Sequence, residues 1–221
     1  MTRALDFGRK GPASGVTKSL VVFLHGYGAD GADLLGLADP LAPHLPDTMF
    51  LAPDAPEPCV GNPFGRQWFP IPWLDGSSEA AAAAGLEASA ADLNAFLDAR
   101  LEEEGLSPRA LALVGFSQGA MMSLHVAPRR PEAVAGIVAI SGRLLRPELL
   151  AQEAVVKPPV LLVHGDADPV VPFEDMGPCL SNALVAAGFE TYGHVMKGTG
   201  HGIAPDGLSV ALSFLKDRLP G

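Results

Sequence analysis

The sequence has few cysteines, few basic residues and no long apolar run. Its two cysteines, Cys59 and Cys179, are too few for a disulfide framework and neither has metal-ligand spacing, although a single bridge between them stays open. Lys and Arg total 15 against 25 Asp and Glu, and the net charge of −10 with no basic cluster disfavours nucleic acid as a partner. No stretch approaches the ~18 apolar residues that span a bilayer, so we expect no integral membrane contact.

The beginning of the chain, MTRALDFGRKGPASG, lacks the apolar run of a signal peptide, which favours a cytoplasmic protein. A hydrophobic content of 48% and a charged content of 18% are typical of a globular protein. We divide the chain into an N-terminal segment, 1–17, and one domain, 18–221. The sequence fits a monomer and a homodimer equally.

Short apolar runs recur along the chain and predict strands at 19–25, 47–52, 111–115, 135–141, 159–165 and 190–196. The first five lack strict alternation, which is typical of a parallel sheet covered on both faces. Helical stripes lie between them, at 86–101, 176–187 and 208–219. The alternation predicts a single α/β domain with a mainly parallel, doubly wound sheet.

Residues 53–78 interrupt this alternation. The segment is rich in proline, lacks periodicity and contains four large aromatic residues, Phe64, Trp68, Phe69 and Trp73. A long excursion of this kind in a compact domain is usually functional or disordered, and its aromatic content argues against disorder. Two compatible interpretations follow: a loop that caps the core, and the wall of an apolar substrate pocket.

Ser117 lies in the frame Gly-Phe-Ser-Gln-Gly, between an apolar run and a helical segment. A serine on a tight strand-to-helix turn projects its hydroxyl above the carboxyl edge of the sheet, where the helix N-terminus stabilises an oxyanion. Chance also supplies such a frame in a glycine-rich chain, so the pattern needs a base and an acid elsewhere.

His201 is the best candidate for the base, because it lies in a glycine-rich loop between the last strand and the last helix. Asp166 and Asp168 both follow the strand at 159–165, and spacing alone does not separate them. The order Ser, Asp, His is that of the α/β-hydrolases. The loop 23–30, after the first predicted strand, would supply one oxyanion N–H and Gln118 the other.

Four motifs in this order, FLHGYGADG, GFSQGAMMSL, HGDADPVVP and GTGHGI, resemble the phospholipase/carboxylesterase family of α/β-hydrolases, which includes the acyl-protein thioesterases. The resemblance covers about residues 18–219. It implies an α/β-hydrolase fold and an enzyme that needs no cofactor and no metal.

The resemblance also implies a role for individual residues. Ser117 would be the nucleophile, His201 the base and Asp168 the residue that orients it. The backbone N–H groups of Tyr27 and Gln118 would form the oxyanion hole. The pocket would be lined by the segment after the strand at 135–141 and by the aromatic segment, with these side chains: Phe64, Trp68, Phe69, Trp73 and Arg143.

The function expected from these features is a serine carboxylesterase that hydrolyses small to medium acyl esters through an acyl-enzyme. An acyl-protein thioesterase or lysophospholipase is the alternative, because the aromatic segment leaves room for a long acyl chain. A catalytically silent hydrolase fold that only binds ligands is a third interpretation, disfavoured because no member of the triad is missing.

Overall fold

A computed structural model of the chain describes residues 2–176 and 178–220. Its strands are β1 (Phe7–Lys10), β2 (Ser19–Leu24), β3 (Thr48–Pro53), β4 (Glu57–Pro58), β5 (Arg66–Gln67), β6 (Leu111–Phe116), β7 (Gly136–Ile140), β8 (Val160–Gly165) and β9 (Thr191–Met196). Its α-helices are α1 (Gly31–Leu35), α2 (Ala38–Leu41), α3 (Pro72–Asp75), α4 (Glu79–Glu104), α5 (Gln118–Val126), α6 (Pro147–Glu153), α7 (Phe173–Met176), α8 (Pro178–Ala186) and α9 (Pro205–Arg218).

The main sheet has the strand order β1-β3-β2-β6-β7-β8-β9. All neighbouring pairs from β3 to β9 are parallel, and β1 is antiparallel to β3. The predicted mainly parallel sheet is confirmed, and each predicted strand matches an observed one to within one residue at either end. β1 was not predicted, because its four residues, FGRK, are too short and too polar to stand out.

Helices cover both faces of this sheet. In β2, Leu20, Val22 and Leu24 belong to the core beneath α4, α5 and α8, whereas Val21 and Phe23 belong to the core beneath α1, α2 and α9. Each of these strand residues is completely buried. The strand therefore reads as a continuous apolar run instead of an alternating one, as doubly covered parallel strands do.

The longest helix, α4, follows the signals in its sequence. The Ser78 side chain accepts a hydrogen bond from the Ala81 N–H at 3.1 Å, and Gly105 ends the helix in the left-handed conformation at φ 65°. In the part of the chain that the structure describes, no helix is long and apolar enough to cross a membrane. The predicted stripe at 176–187 begins at the end of α7 and runs along α8, with residue 177 outside the described residues.

The segment 53–78 contains more regular structure than its sequence predicts. β4 and β5, each two residues long, pair antiparallel as a hairpin, and one helical turn, α3, follows. The segment lies at the carboxyl edge of the sheet, where the strands β2, β6, β8 and β9 all end. In an α/β sheet this edge is where ligands bind.

Candidate active site

Ser117 occupies a strained turn between β6 and α5. Its backbone has φ 52° and ψ −114°, a region that costs a non-glycine residue about 1–3 kcal/mol. The strain is held by two hydrogen bonds: the Ser117 N–H donates to the Ile140 carbonyl at 2.8 Å, and the Ser117 carbonyl accepts from the Met121 N–H at 3.1 Å. The turn lies at the carboxyl edge of the sheet, between the end of β6 and the start of α5.

The two glycines that flank this serine are required by close backbone approach. A Cβ on Gly115 would overlap the carbonyl of Gly119, and a Cβ on Gly119 would overlap the carbonyl of Leu24 in β2. The glycines therefore let β6, α5 and β2 meet at one point. This contact sets where the serine lies relative to the loop after β2.

Asp168 and His201 form a hydrogen-bonded pair next to this turn. The Nδ1 of His201 lies 2.8 Å from Asp168 Oδ2, while Asp168 Oδ1 accepts the N–H groups of Val170 and Val171 at 2.8 and 2.9 Å. The side chain of Asp168 is completely buried. A second histidine, His164, flanks it, with Nε2 at 2.8 Å from the Val171 carbonyl and 3.4 Å from Asp168 Oδ2.

Burial alone would raise the pKa of Asp168, but the hydrogen bonds from Val171, His201 and Val170 hold that pKa below its usual value. The carboxylate therefore stays ionised and orients the imidazole. The imidazole itself packs on Phe116, with ring centroids 4.9 Å apart, and so stands beside the residue that precedes Ser117.

Asp166, the other candidate acid, points elsewhere. Its Oδ1 accepts the N–H of Gly198 at 2.6 Å, and its Oδ2 lies 3.4 Å from Nζ of Lys197. It therefore secures the start of the loop that carries His201. The structure brings Asp168, and not Asp166, to the imidazole.

The Tyr27 amide belongs to the loop after β2, and the Gln118 amide directly follows Ser117 at the start of α5. Gln118 is the first residue of α5, so its N–H has no intrahelical acceptor. Among the described residues, no protein group accepts a hydrogen bond from the Tyr27 N–H. Gly26 joins this loop to the turn, because a Cβ there would lie 3.3 Å from the Ser117 Cβ. Both amides are thus available to a substrate oxygen.

The loop that carries Tyr27 is clamped by the β4–β5 hairpin. The Gly28 N–H donates to the Arg66 carbonyl at 2.9 Å, and the Arg66 N–H donates to the Ala29 carbonyl at 2.8 Å. The side-chain amide of Asn62 donates to the Gly28 carbonyl at 2.8 Å. A Cβ on Gly65 would overlap that same carbonyl, so the hairpin packs directly on the loop.

His25 connects the same loop to the segment after β3. Its Nε2 accepts the N–H of Ala55 at 2.9 Å, and its Nδ1 lies 2.8 Å from the carbonyl of Gly26, so Nδ1 carries the proton. Burial lowers the pKa of His25, which keeps the ring neutral as these contacts require. His25 is a structural histidine, unlike His201.

Sequence reasoning missed the side chain of Gln118. The residue is completely buried, its Oε1 accepts the N–H of Trp68 at 2.8 Å, and its Nε2 donates to the carbonyl of Phe69 at 2.7 Å. The Ser89 hydroxyl donates to the Trp68 carbonyl. Gln118 therefore connects the aromatic segment to the turn that holds Ser117 through two hydrogen bonds. In the sequence, the one indication of this contact is the glutamine that directly follows the serine.

The predicted pocket residues divide into two groups. Phe69, Trp73 and Arg143 line a cavity of about 160 Å³ between α3, α4 and the loop after β7. The prediction for Trp68 and Phe64 is corrected. Trp68 is completely buried in the core, where its indole N–H donates to the His25 carbonyl at 3.1 Å, and Phe64 is 92% exposed at the hairpin tip. Both belong to a segment that folds back on itself, so only its second half reaches the cavity.

The Tyr27 side chain contacts the hairpin and not this cavity. A Cβ on Gly61 would lie 3.7 Å from the Tyr27 hydroxyl. Burial, and after it the neighbouring Cys59 thiol, raises the pKa of Tyr27 to about 12.

Cys59 is buried and Cys179 exposed, and both are free thiols. In the described part of the chain, no group of three His, Cys, Asp or Glu residues could hold a metal ion.

Comparison with known proteins agrees with this geometry. A family model described as Phospholipase/Carboxylesterase matches residues 12–219. The chain belongs to this family. As a phospholipase/carboxylesterase family member it is similar to Esterase YpfH of Escherichia coli (strain K12), 28% identical over 205 residues, covering 92% of this chain and 84% of the relative.

Two further similarities span nearly the whole family domain. Acyl-protein thioesterase 1 of Saccharomyces cerevisiae is 32% identical over 215 residues, covering 91% of this chain and 93% of the relative. The crystal structure of esterase PE8 superimposes with a TM-score of 0.92 at 45% identity, covering 98% of this chain and 100% of that one. The predictions of an α/β-hydrolase fold and of a hydrolase of the serine esterase type are confirmed by these similarities.

Proposed function

We propose that the protein is a serine carboxylesterase whose nucleophile is Ser117, whose base is His201 and whose orienting acid is Asp168. The observation that carries the proposal is the buried Asp168–His201 hydrogen bond of 2.8 Å beside the strained turn of Ser117. A buried carboxylate fixes the imidazole tautomer and stabilises the imidazolium that forms during acyl transfer.

The reaction proceeds in two acyl transfers. Ser117 Oγ attacks the ester carbonyl carbon while His201 Nε2 takes its proton, and the resulting oxyanion accepts hydrogen bonds from the Tyr27 and Gln118 amides. The carbon–oxygen bond to the alcohol breaks as His201 returns the proton to the leaving oxygen. Water, deprotonated by the same imidazole, then attacks the acyl carbon. The bond from that carbon to Ser117 Oγ breaks as the imidazolium returns the proton to Oγ, and the carboxylic acid leaves.

The size of the cavity that adjoins the candidate triad favours acyl groups of small to medium length. Its volume is about 290 Å³, and it is lined by Met121, Val170, Val171 and Pro172. An apolar protein cavity of about 150 Å³ holds one benzene molecule, so a cavity of about twice that volume suits roughly twelve carbon atoms. An acyl-protein thioesterase with a long acyl chain is the second candidate, because several relatives carry that name.

Labelling and substitution of the serine test the proposal. A fluorophosphonate should label Ser117 stoichiometrically, and Ser117→Ala should lower kcat for p-nitrophenyl butyrate by about 10⁴–10⁶-fold. Ser209→Ala is the matched control, since Ser209 is an exposed residue of α9. A purified protein that neither reacts with the phosphonate nor hydrolyses any ester would instead be a binding module.

A chain-length series separates the two candidate substrate classes. We expect kcat/KM for p-nitrophenyl esters to reach a maximum at or below about twelve acyl carbons. A maximum at palmitate, or a strong preference for palmitoyl thioesters over short esters, would favour the thioesterase.

The free thiols Cys59 and Cys179 support action in a reducing compartment such as the cytoplasm.

A further inference from the structure

Two cavities next to the triad share one wall. The first, here called the aromatic cavity, has a volume of about 160 Å³ and lies beside Phe69 and Leu86. The second, here called the triad-side cavity, has a volume of about 290 Å³ and is lined by Met121, Val170, Val171 and Pro172. Trp73 and Arg143 line both of them.

The triad-side cavity adjoins the reacting groups. Met121 donates its N–H to the Ser117 carbonyl at 3.1 Å, and Val170 and Val171 donate theirs to Asp168. None of these triad neighbours lines the aromatic cavity. A substrate bound to Ser117 therefore meets the triad-side cavity first.

The shared wall is a stacked pair. The guanidinium carbon of Arg143 lies 4.1 Å from the centroid of the Trp73 ring, which is within the range of a cation–π contact. Trp73 comes from α3 and is 61% exposed, whereas Arg143 comes from the loop after β7 and is half-buried. The pair closes the gap between two elements that are far apart in sequence.

The backbone that carries Trp73 and the backbone that carries Arg143 are each fixed by local contacts. The Asp75 carboxylate accepts the N–H groups of Ile71 and Ser77 at 2.8 and 2.9 Å, which fixes the single turn of α3. On the other side, Ser141 adopts φ 50°, and a Cβ on Gly142 would lie 2.9 Å from the Ser117 carbonyl. The chain before Arg143 is therefore packed directly against the turn of the nucleophile.

We propose that the Trp73–Arg143 stack is a specificity-determining partition that confines short acyl groups to the triad-side cavity and closes the aromatic cavity to them. Longer acyl chains reach the aromatic cavity only by displacing the stack. The inference rests on the proposed esterase function, which makes the triad-side cavity the site of the acyl group. Trp73 and Arg143 thus set the length preference without taking part in proton transfer.

The acyl-length profile of the full-length protein tests the partition. We expect Trp73→Ala and Arg143→Ala each to raise the ratio of kcat/KM for p-nitrophenyl myristate over butyrate by about tenfold or more, since each methylene newly placed on apolar surface contributes about fourfold. Trp73→Phe retains a ring and should change the ratio less. Leu74→Ala, an exposed neighbour on α3, is the matched control with the parent profile.

The double variant shows whether the two side chains act as one unit. Because either truncation opens the same wall, Trp73→Ala/Arg143→Ala should have the ratio of one single variant and not the product of both effects. Multiplicative effects, or ratios that stay at the parent value in both single variants, would overturn the partition.

A binding measurement separates this inference from the esterase proposal. In a Ser117→Ala background, myristate should bind about tenfold more tightly when Trp73→Ala is added, whereas butyrate affinity should not change. A parent protein without ester hydrolysis contradicts the proposed function, and the myristate titration then decides on the partition alone. Equal myristate affinity with and without the Trp73 ring would overturn the partition.

Discussion

The Gln118 side chain connects the nucleophile turn to the aromatic segment, and its removal has a calculable effect. In Gln118→Ala, the Trp68 N–H loses its acceptor and the Phe69 carbonyl loses its donor. Each buried backbone group left without a partner costs about 1–3 kcal/mol. We expect the free energy of unfolding to fall by about 2–4 kcal/mol, since some water can enter the space that the amide leaves.

For a chain of 221 residues, this loss corresponds to a decrease of about 5–15 °C in the melting temperature. Circular dichroism melting and urea unfolding measure it. Gln152→Ala is the matched control, because Gln152 is an exposed residue of α6 and its melting temperature should stay within about 1 °C of the parent.

The activity of the same variant distinguishes a structural side chain from a chemical one. The backbone N–H of residue 118 is retained in Gln118→Ala, so kcat for a short ester should fall less than tenfold while KM rises, because Phe69 is no longer held at the cavity. A loss of kcat of about 10²–10³-fold without a change in melting temperature would refute this reasoning, since that is the cost of removing an oxyanion donor.

Three further predictions follow from the same contacts. Asp168→Asn should lower kcat by about 10³–10⁴-fold through the loss of the His201 acceptor, whereas Asp166→Asn should cost less than tenfold; equal losses would contradict the assignment. Asn62→Ala removes the donor to the Gly28 carbonyl and should lower kcat about tenfold with little change in KM, and a change in melting temperature alone would exclude a positioning role. Burial, then the neighbouring Arg129, lowers the pKa of His125 to about 4, so the unfolded chain takes up its proton first. Stability should therefore be complete above pH 6.5 and fall by about 2–3 kcal/mol towards pH 4, a decrease that His125→Gln should lack in parallel urea titrations.

The sequence was sufficient to predict the sheet and the edge at which the candidate site residues lie. Strands covered on both faces lack alternation, which makes the runs at 111–115 and 159–165 visible without any knowledge of their partners. Parallel strands place their carboxyl ends at one edge, so residues that follow different strands converge. The topology therefore predicts that Ser117 and His201 lie at the same edge, and the His201 ring does pack on Phe116, the neighbour of Ser117.

The contacts of the aromatic segment could not be predicted, because they depend on what lies opposite each residue. Trp68 is of a residue type common in pockets, yet its indole N–H donates to a carbonyl in the core and its ring is completely buried. Gln118 is of a residue type common at the surface, yet both its amide oxygen and its amide nitrogen form hydrogen bonds inside the protein. In each case the partners are residues more than 40 positions away in the sequence, and no local pattern encodes these hydrogen bonds.

Three glycines at this edge of the sheet are required by close backbone approach and not by flexibility. Gly119 is where α5 meets β2, Gly65 is where the hairpin meets the loop of Tyr27, and Gly165 is where β8 meets the loop of His201, and at each of them a Cβ would overlap a backbone carbonyl. Gly36, by contrast, has open space around it. The contacts at Gly119 and Gly165 each join two segments that carry different candidate site residues, and the contact at Gly65 holds the hairpin on the loop of Tyr27. These glycines therefore allow the loops that carry the candidate serine, oxyanion amides and histidine to approach one another at this edge.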